Sequence, residues 1–141
     1  MNVLLDTNVW ISGLLWGGNP RKIIQQAERE QITIYLSLPL FQEIEETLNY
    51  PKLQVRLQAL GIAANQLLLG VRQITQFCQP IPLSEVPELR DPKDKIILEA
   101  ALSVPVDVIV SGDGDLLVLG EFQQIPIVTV SDFLERYEGE V

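Results

Sequence analysis

The sequence predicts an α/β domain, a three-layer α/β/α sandwich built on a central, mainly parallel sheet. Three observations predict it. Short apolar runs alternate with segments of helical period along the whole chain. Those runs are continuously apolar, as in strands covered on both faces. The 141 residues also suit one unit, on a prior of roughly 100–200 residues per domain, so residues 1–141 are expected to form a single domain.

The elements follow in order. Val3-Leu4-Leu5 is a short buried strand ending at Asp6. Asn19-Pro20 predicts a helix start, with Asn19 as N-cap and Pro20 at the first helical position, running to about Glu30. Ile32 to Leu36 is a second strand. Pro39 opens a helix to about Leu48, and Pro51 opens another that Gly61 closes. Ala63 to Phe77 reads as a fourth helix despite Gly70. Asp91-Pro92 opens a fifth through Leu102, followed by a strand over Val106 to Val110 and a helical turn at Leu116 to Leu119. A last strand spans Pro126 to Val130, and Ser131 caps a final helix through Tyr137. Gln79 to Pro92, with four prolines, reads as a connection inside the domain.

Composition removes whole classes of chemistry. There is no histidine, which excludes Ser-His-Asp and Cys-His nucleophilic catalysis and His-ligated transition metals. The one cysteine, Cys78, forms no internal disulfide and no ordinary zinc site. No run approaches the ~20 apolar residues of a membrane span, and the first residues lack the basic flank of a signal peptide. A cytoplasmic, membrane-free protein is expected. Ten basic against 19 acidic residues give a net charge of −9. Solubility explains most of that excess, but it also suits a cation site.

Four acids stand out by position. Asp6 directly follows the first strand, and Asp113 follows Val106–Val110 within Ser111-Gly112-Asp113-Gly114-Asp115. In a parallel sheet both belong at its carboxyl edge, where α/β sites form. Each is equally a common turn or N-cap aspartate. Asp94 falls within the apolar arc of Ile97, Leu98, Ala101 and Leu102, whereas Glu99 lies nearly opposite. A carboxylate there needs compensation, either a capping box with Asp91 or a metal. Glu43 lies one turn into the helix after the second strand and leans back towards the same edge. The helical wheel does not separate it from Glu45; its place nearer the helix start favours Glu43. A set of Asp6, Glu43, Asp94 and Asp113, without imidazole or thiolate, suits Mg²⁺ or Mn²⁺.

These residues resemble PIN-domain ribonucleases, in particular the toxin components of toxin–antitoxin systems. The resemblance runs from Val3 to about Leu134. It rests on Leu4-Leu5-Asp6-Thr7-Asn8-Val9, on Ser37 to Glu43, on Asp91-Pro92-Lys93-Asp94 running into Ile97 to Ala101, and on Val108 to Leu117. It implies metal-dependent cleavage of single-stranded RNA that leaves 5′-phosphate and 3′-hydroxyl ends. Asp6 and Asp94 would be the principal metal ligands, Glu43 would bind metal or position the attacking water, and Asp113 would complete the set. Asn8 and Ser111 would fix the acids and water by hydrogen bonds. Some relatives carry another acid after the third aspartate; here Lys95 takes that place, which gives Asp91 or Asp115 more weight, and Asp115 is an alternative to Asp113. The implied partners are an RNA substrate, an antitoxin protein and a second copy in a homodimer.

Other features admit two readings. Lys93 and Lys95 suit RNA phosphates or plain solvated surface. Trp10 and Trp16 suit base stacking, but core or interface placement is the preferred expectation. Leu67-Leu68-Leu69, Val71 and Ile74 form an apolar face expected in the core, in part against another subunit. The competing function is a catalytically weak PIN-like scaffold that binds proteins. Two other phosphoryl-transfer classes fit less well: Asp113-Gly114-Asp115 has the Asp-x-Asp spacing of topoisomerase–primase domains, and a haloacid-dehalogenase nucleophile at Asp6 would call for an aspartate where Asn8 stands.

Overall fold

A computed structural model describes residues 1–83 and 92–137. Its elements are β1 (Asn2–Leu5), α1 (Thr7–Leu15), α2 (Gly18–Glu28), β2 (Thr33–Ser37), α3 (Leu38–Leu48), α4 (Pro51–Leu60), α5 (Ala64–Ile74) and β3 (Thr75–Cys78). There follow α6 (Pro92–Ala101), β4 (Val108–Val110), α7 (Gly114–Leu119), β5 (Glu121–Phe122), β6 (Ile125–Val128) and α8 (Val130–Tyr137). The strands form one sheet in the order β3-β2-β1-β4-β6-β5. All neighbours pair in parallel except β5 with β6.

The expected α/β/α sandwich is what forms. Val3, Leu4, Leu5, Val108, Ile109 and Val110 are all fully buried. Consecutive strand residues point to opposite faces, so burial of every one requires cover on both sides. Each pair of parallel neighbours needs a helical crossover, which the alternating chain supplies. From β1 the chain builds outwards through β2 and β3, then returns to add β4 on the other flank of β1. The order therefore reverses between β1 and β4, and a cleft opens there beyond the strand ends.

Several expected boundaries change. A helix, α1, begins directly after Asp6. The second helix starts at Gly18 behind Gly17, whose φ of 80° suits glycine, so Asn19 is inside the first turn and does not cap it. Pro20 is tolerated there because first-turn amides have no partner within the helix. The helix ends at Glu28, short of Glu30, which sits at φ 60°. The predicted helix over Ala63 to Phe77 divides into α5 and the edge strand β3. Leu68 and Val71 of α5 are buried, whereas Leu69 is exposed. Strand β5, also unexpected, adds antiparallel to β6. The last helix is capped by Thr129, whose hydroxyl accepts from the Asp132 amide at 3.1 Å, with Ser131 already inside α8. Asp91, the expected cap of α6, lies outside the described residues. Among the described residues no helix is long and apolar enough to cross a membrane.

Candidate metal centre

Asp6 is set at the switch point by three local facts. Its amide donates to the Val110 carbonyl at 3.1 Å, which extends the β1–β4 pairing by one residue. Its side chain then turns back as the N-cap of α1, with Oδ1 accepting from the Val9 amide at 2.9 Å. Oδ2 accepts from the Ser111 hydroxyl at 2.5 Å and from the Gly112 amide at 3.1 Å. Burial raises the pKa of this carboxyl above the ordinary aspartate value. The three hydrogen bonds oppose that rise, and the charge of Asp113 adds to it.

The strand-four loop is organised around the same serine. Fully buried Ser111 donates to Asp6, and its oxygen accepts from the Asp113 amide at 2.9 Å. Asp113 caps α7, with Oδ1 accepting from Asp115 at 2.8 Å and from Leu116 at 3.3 Å. Asp6 and Asp113 each cap a helix, and each also lines the same cleft.

Glu43 and Asp94 complete the arrangement from two further helices. Asp94 is in the first turn of α6 and only 7% exposed, as its place in the apolar arc predicts. Glu43 is half-buried on α3, and its Oε1 accepts from the Thr7 hydroxyl at 2.5 Å. Its neighbour Glu45 is exposed to solvent, so the fold separates the two glutamates that the helical wheel left level. Glu99 does lie away from the cleft. Its carboxylate accepts from the Leu83 amide at 2.8 Å and so ties the 79–83 segment to α6.

Asp6, Glu43, Asp94 and Asp113 line one cleft of about 230 Å³, with Lys93 at its rim. Among the described residues, Asp94, Asp113 and Asp115 form a group of acids that place one oxygen each within 4.8 Å of one another. A hard, all-oxygen donor set at this spacing fits Mg²⁺ or Mn²⁺, with Asp115 more central than the expectation gave it. Asn8 is exposed and lines the cleft. Its neighbour Thr7 makes the hydrogen bond that fixes an acid. Nothing in the sequence marks α1, so Thr7 does not stand out there as a site residue, although it directly follows the first strand's aspartate.

A parallel α/β/α domain with carboxylates gathered at its switch point is the architecture of a nuclease-type fold. The chain belongs to the PIN-domain family, whose model matches residues 2–115, from β1 through Asp115. Neither a curated protein nor a solved structure matches it.

Proposed function

We propose that the protein is a Mg²⁺- or Mn²⁺-dependent endoribonuclease acting on single-stranded RNA, with the toxin role in a toxin–antitoxin pair. The observation that carries this reading is the meeting of Asp6, Glu43, Asp94 and Asp113 in one cleft, with Asp115 alongside. Asp94, Asp113 and Asp115 would hold the ion, and Asp6 adds its charge from a rigid position. When bound, such an ion lowers the pKa of a water and offsets charge on phosphoryl oxygens. Glu43, held by the Thr7 hydroxyl, would orient an attacking water and accept its proton. Lys93 at the rim supplies a positive contact for a substrate phosphate. An antitoxin partner, a homodimer and a reducing cytoplasm belong to the same proposal.

The test uses end-labelled single-stranded RNA with Mg²⁺ or Mn²⁺. Cleavage giving 5′-phosphate ends, abolished by chelator and by Asp94→Asn, supports the reading. Equal cleavage by Asp94→Asn or in chelator overturns it. The scaffold alternative draws on the capping roles of Asp6 and Asp113, which give both acids a structural use without turnover. It predicts no cleavage under any metal condition.

A further inference from the structure

A second groove, of about 530 Å³, adjoins the acidic cleft at the end of α1 and the α3–α4 junction. The two are neighbours: Asn8, Thr47 and Tyr50 line both. Their chemistry differs. No carboxylate among the described residues lines the second groove, which instead presents Trp16, Tyr50 and Lys52.

Trp16 is held in place while remaining open. It is 56% exposed, and Tyr50 is 42% exposed. The Arg56 guanidinium lies 5.5 Å from the indole centroid. Arg56 is itself anchored, with Nε donating to the Leu15 carbonyl at 2.9 Å. The Trp16 amide donates to the Ser12 carbonyl at 3.0 Å as α1 ends. An indole that contacts a cation, stays more than half exposed and lines a groove is a ready platform for another planar ring. Trp10, by contrast, is fully buried and takes no part.

The geometry points to a base-stacking subsite for single-stranded RNA: a nucleotide flanking the scissile phosphate stacks on Trp16, beside Tyr50, with Lys52 meeting its phosphate. This assignment rests on the nuclease reading of the adjoining cleft. Adjacency to that cleft, through the shared Asn8, Thr47 and Tyr50, and the sign of the charge favour RNA over a protein partner. A chain of net charge −9 repels a polyanion overall, so productive contact needs local cations. Lys52 and Arg56 provide them here, as Lys93 does at the cleft. Because every base has a π-face, stacking of this kind tolerates sequence.

The test is binding of a fluorescein-labelled 12-nucleotide RNA, read by anisotropy in Ca²⁺, with the full chain. Trp16→Ala is expected to weaken binding on the order of tenfold, and Trp16→Phe, which keeps a ring, to restore most of it. In RNAs scanned with single abasic nucleotides, one position is expected to remove the difference between wild type and Trp16→Ala. Circular dichroism melting checks that Trp16→Ala is folded; if it is not, the comparison passes to Trp16→Phe against Trp16→Leu, with Phe binding more tightly. Equal affinity of the ring-bearing and ringless variants overturns the subsite and leaves the patch to a protein partner. Cleavage that is metal-dependent while Trp16 has no effect would sink the subsite alone. Trp16-dependent binding without cleavage in any metal would sink the nuclease reading alone.

Discussion

Ser111 and Asp6 stand 105 residues apart in sequence and share a hydrogen bond of 2.5 Å across the β1–β4 edge. The same serine oxygen accepts from the Asp113 amide, so one hydroxyl couples two acids of the cleft. Hydrogen bonds to charged groups contribute about 1.5–3 kcal/mol each. Ser111→Ala is therefore expected to lower stability by roughly that amount and to raise the Asp6 pKa further. Urea denaturation gives the first quantity. An unchanged midpoint would mean that the Gly112 and Val9 amides alone suffice to hold Asp6.

Asp6 also sets a pH signature. Its folded pKa is raised, with burial the leading cause. The folded state then binds the proton more tightly than the unfolded chain does. The stability this confers is fully present below the ordinary value of 3.8 and is lost as pH rises through the folded pKa. Relative to Asp6→Asn, the wild type should lose stability as pH climbs from 3.8 and then level off. Denaturation of both proteins across that series measures the difference directly. A gap that widens in favour of wild type with rising pH would reverse the assigned sign.

How much of this was legible depends on what each residue reports locally. Strands β1 and β4 show themselves because double-sided burial demands contiguous apolar residues, and β2 and β6, which are only partly buried, by their Ile, Leu and Val content. Strand β3 hides because Thr75-Gln76-Phe77-Cys78 is a partly exposed edge, without an apolar run of its own. Helix α1 hides for the opposite reason: Thr7, Val9, Trp10, Ile11, Gly13 and Leu15 are all buried, so no polar stripe marks a period. Asp94 was legible because a carboxylate in an apolar arc conflicts with its own helix. The helical wheel does not separate Glu43 from Glu45, and only its place nearer the helix start favours Glu43; the structural difference lies in Thr7, which only the packing of α1 against α3 brings into reach.

That contact gives a third prediction. Thr7→Val keeps the shape of the side chain and removes the donor to Glu43. If Glu43 orients the attacking water, cleavage should fall by about 10- to 100-fold, the usual cost of losing a partner that orients a functional acid. The KM for RNA should hold, because Thr7 is only 7% exposed. Single-turnover cleavage separates rate from binding, and a change confined to KM would give Thr7 a substrate role instead.

The α1–α2 packing depends on Gly13. A Cβ there would come within 2.6 Å of Ile24 Cδ1 and 3.1 Å of the Pro20 backbone. Gly13→Ala should cost about 1–3 kcal/mol through overpacking, outweighing the helix preference for alanine. Gly70 is the control: a Cβ there meets nothing within 4 Å, so Gly70→Ala should stabilise by about 0.5–1 kcal/mol. Paired thermal melts decide it, and a stabilised Gly13→Ala would show that α2 shifts freely.

The metal itself supplies the sharpest division of roles. Mn²⁺ at about 100 times its Kd should stabilise the fold by ~2.7 kcal/mol, seen as a rise in Tm. The rise should vanish in Asp94→Asn and Asp113→Asn, whose oxygens can converge within 4.8 Å along with that of Asp115. Asp115→Asn should weaken it as well, although Asp115 looks like an ordinary first-turn acid of α7. Asp6→Asn tests the other arrangement. The Asp6 oxygens already accept three hydrogen bonds, and each bond satisfied by the protein leaves less electron density for a cation. If Asp94, Asp113 and Asp115 are the principal ligands, Asp6→Asn keeps a reduced Mn²⁺ shift while Asp94→Asn keeps none. Complete loss in Asp6→Asn with full retention in Asp115→Asn would move the ion to the β1 end of the cleft.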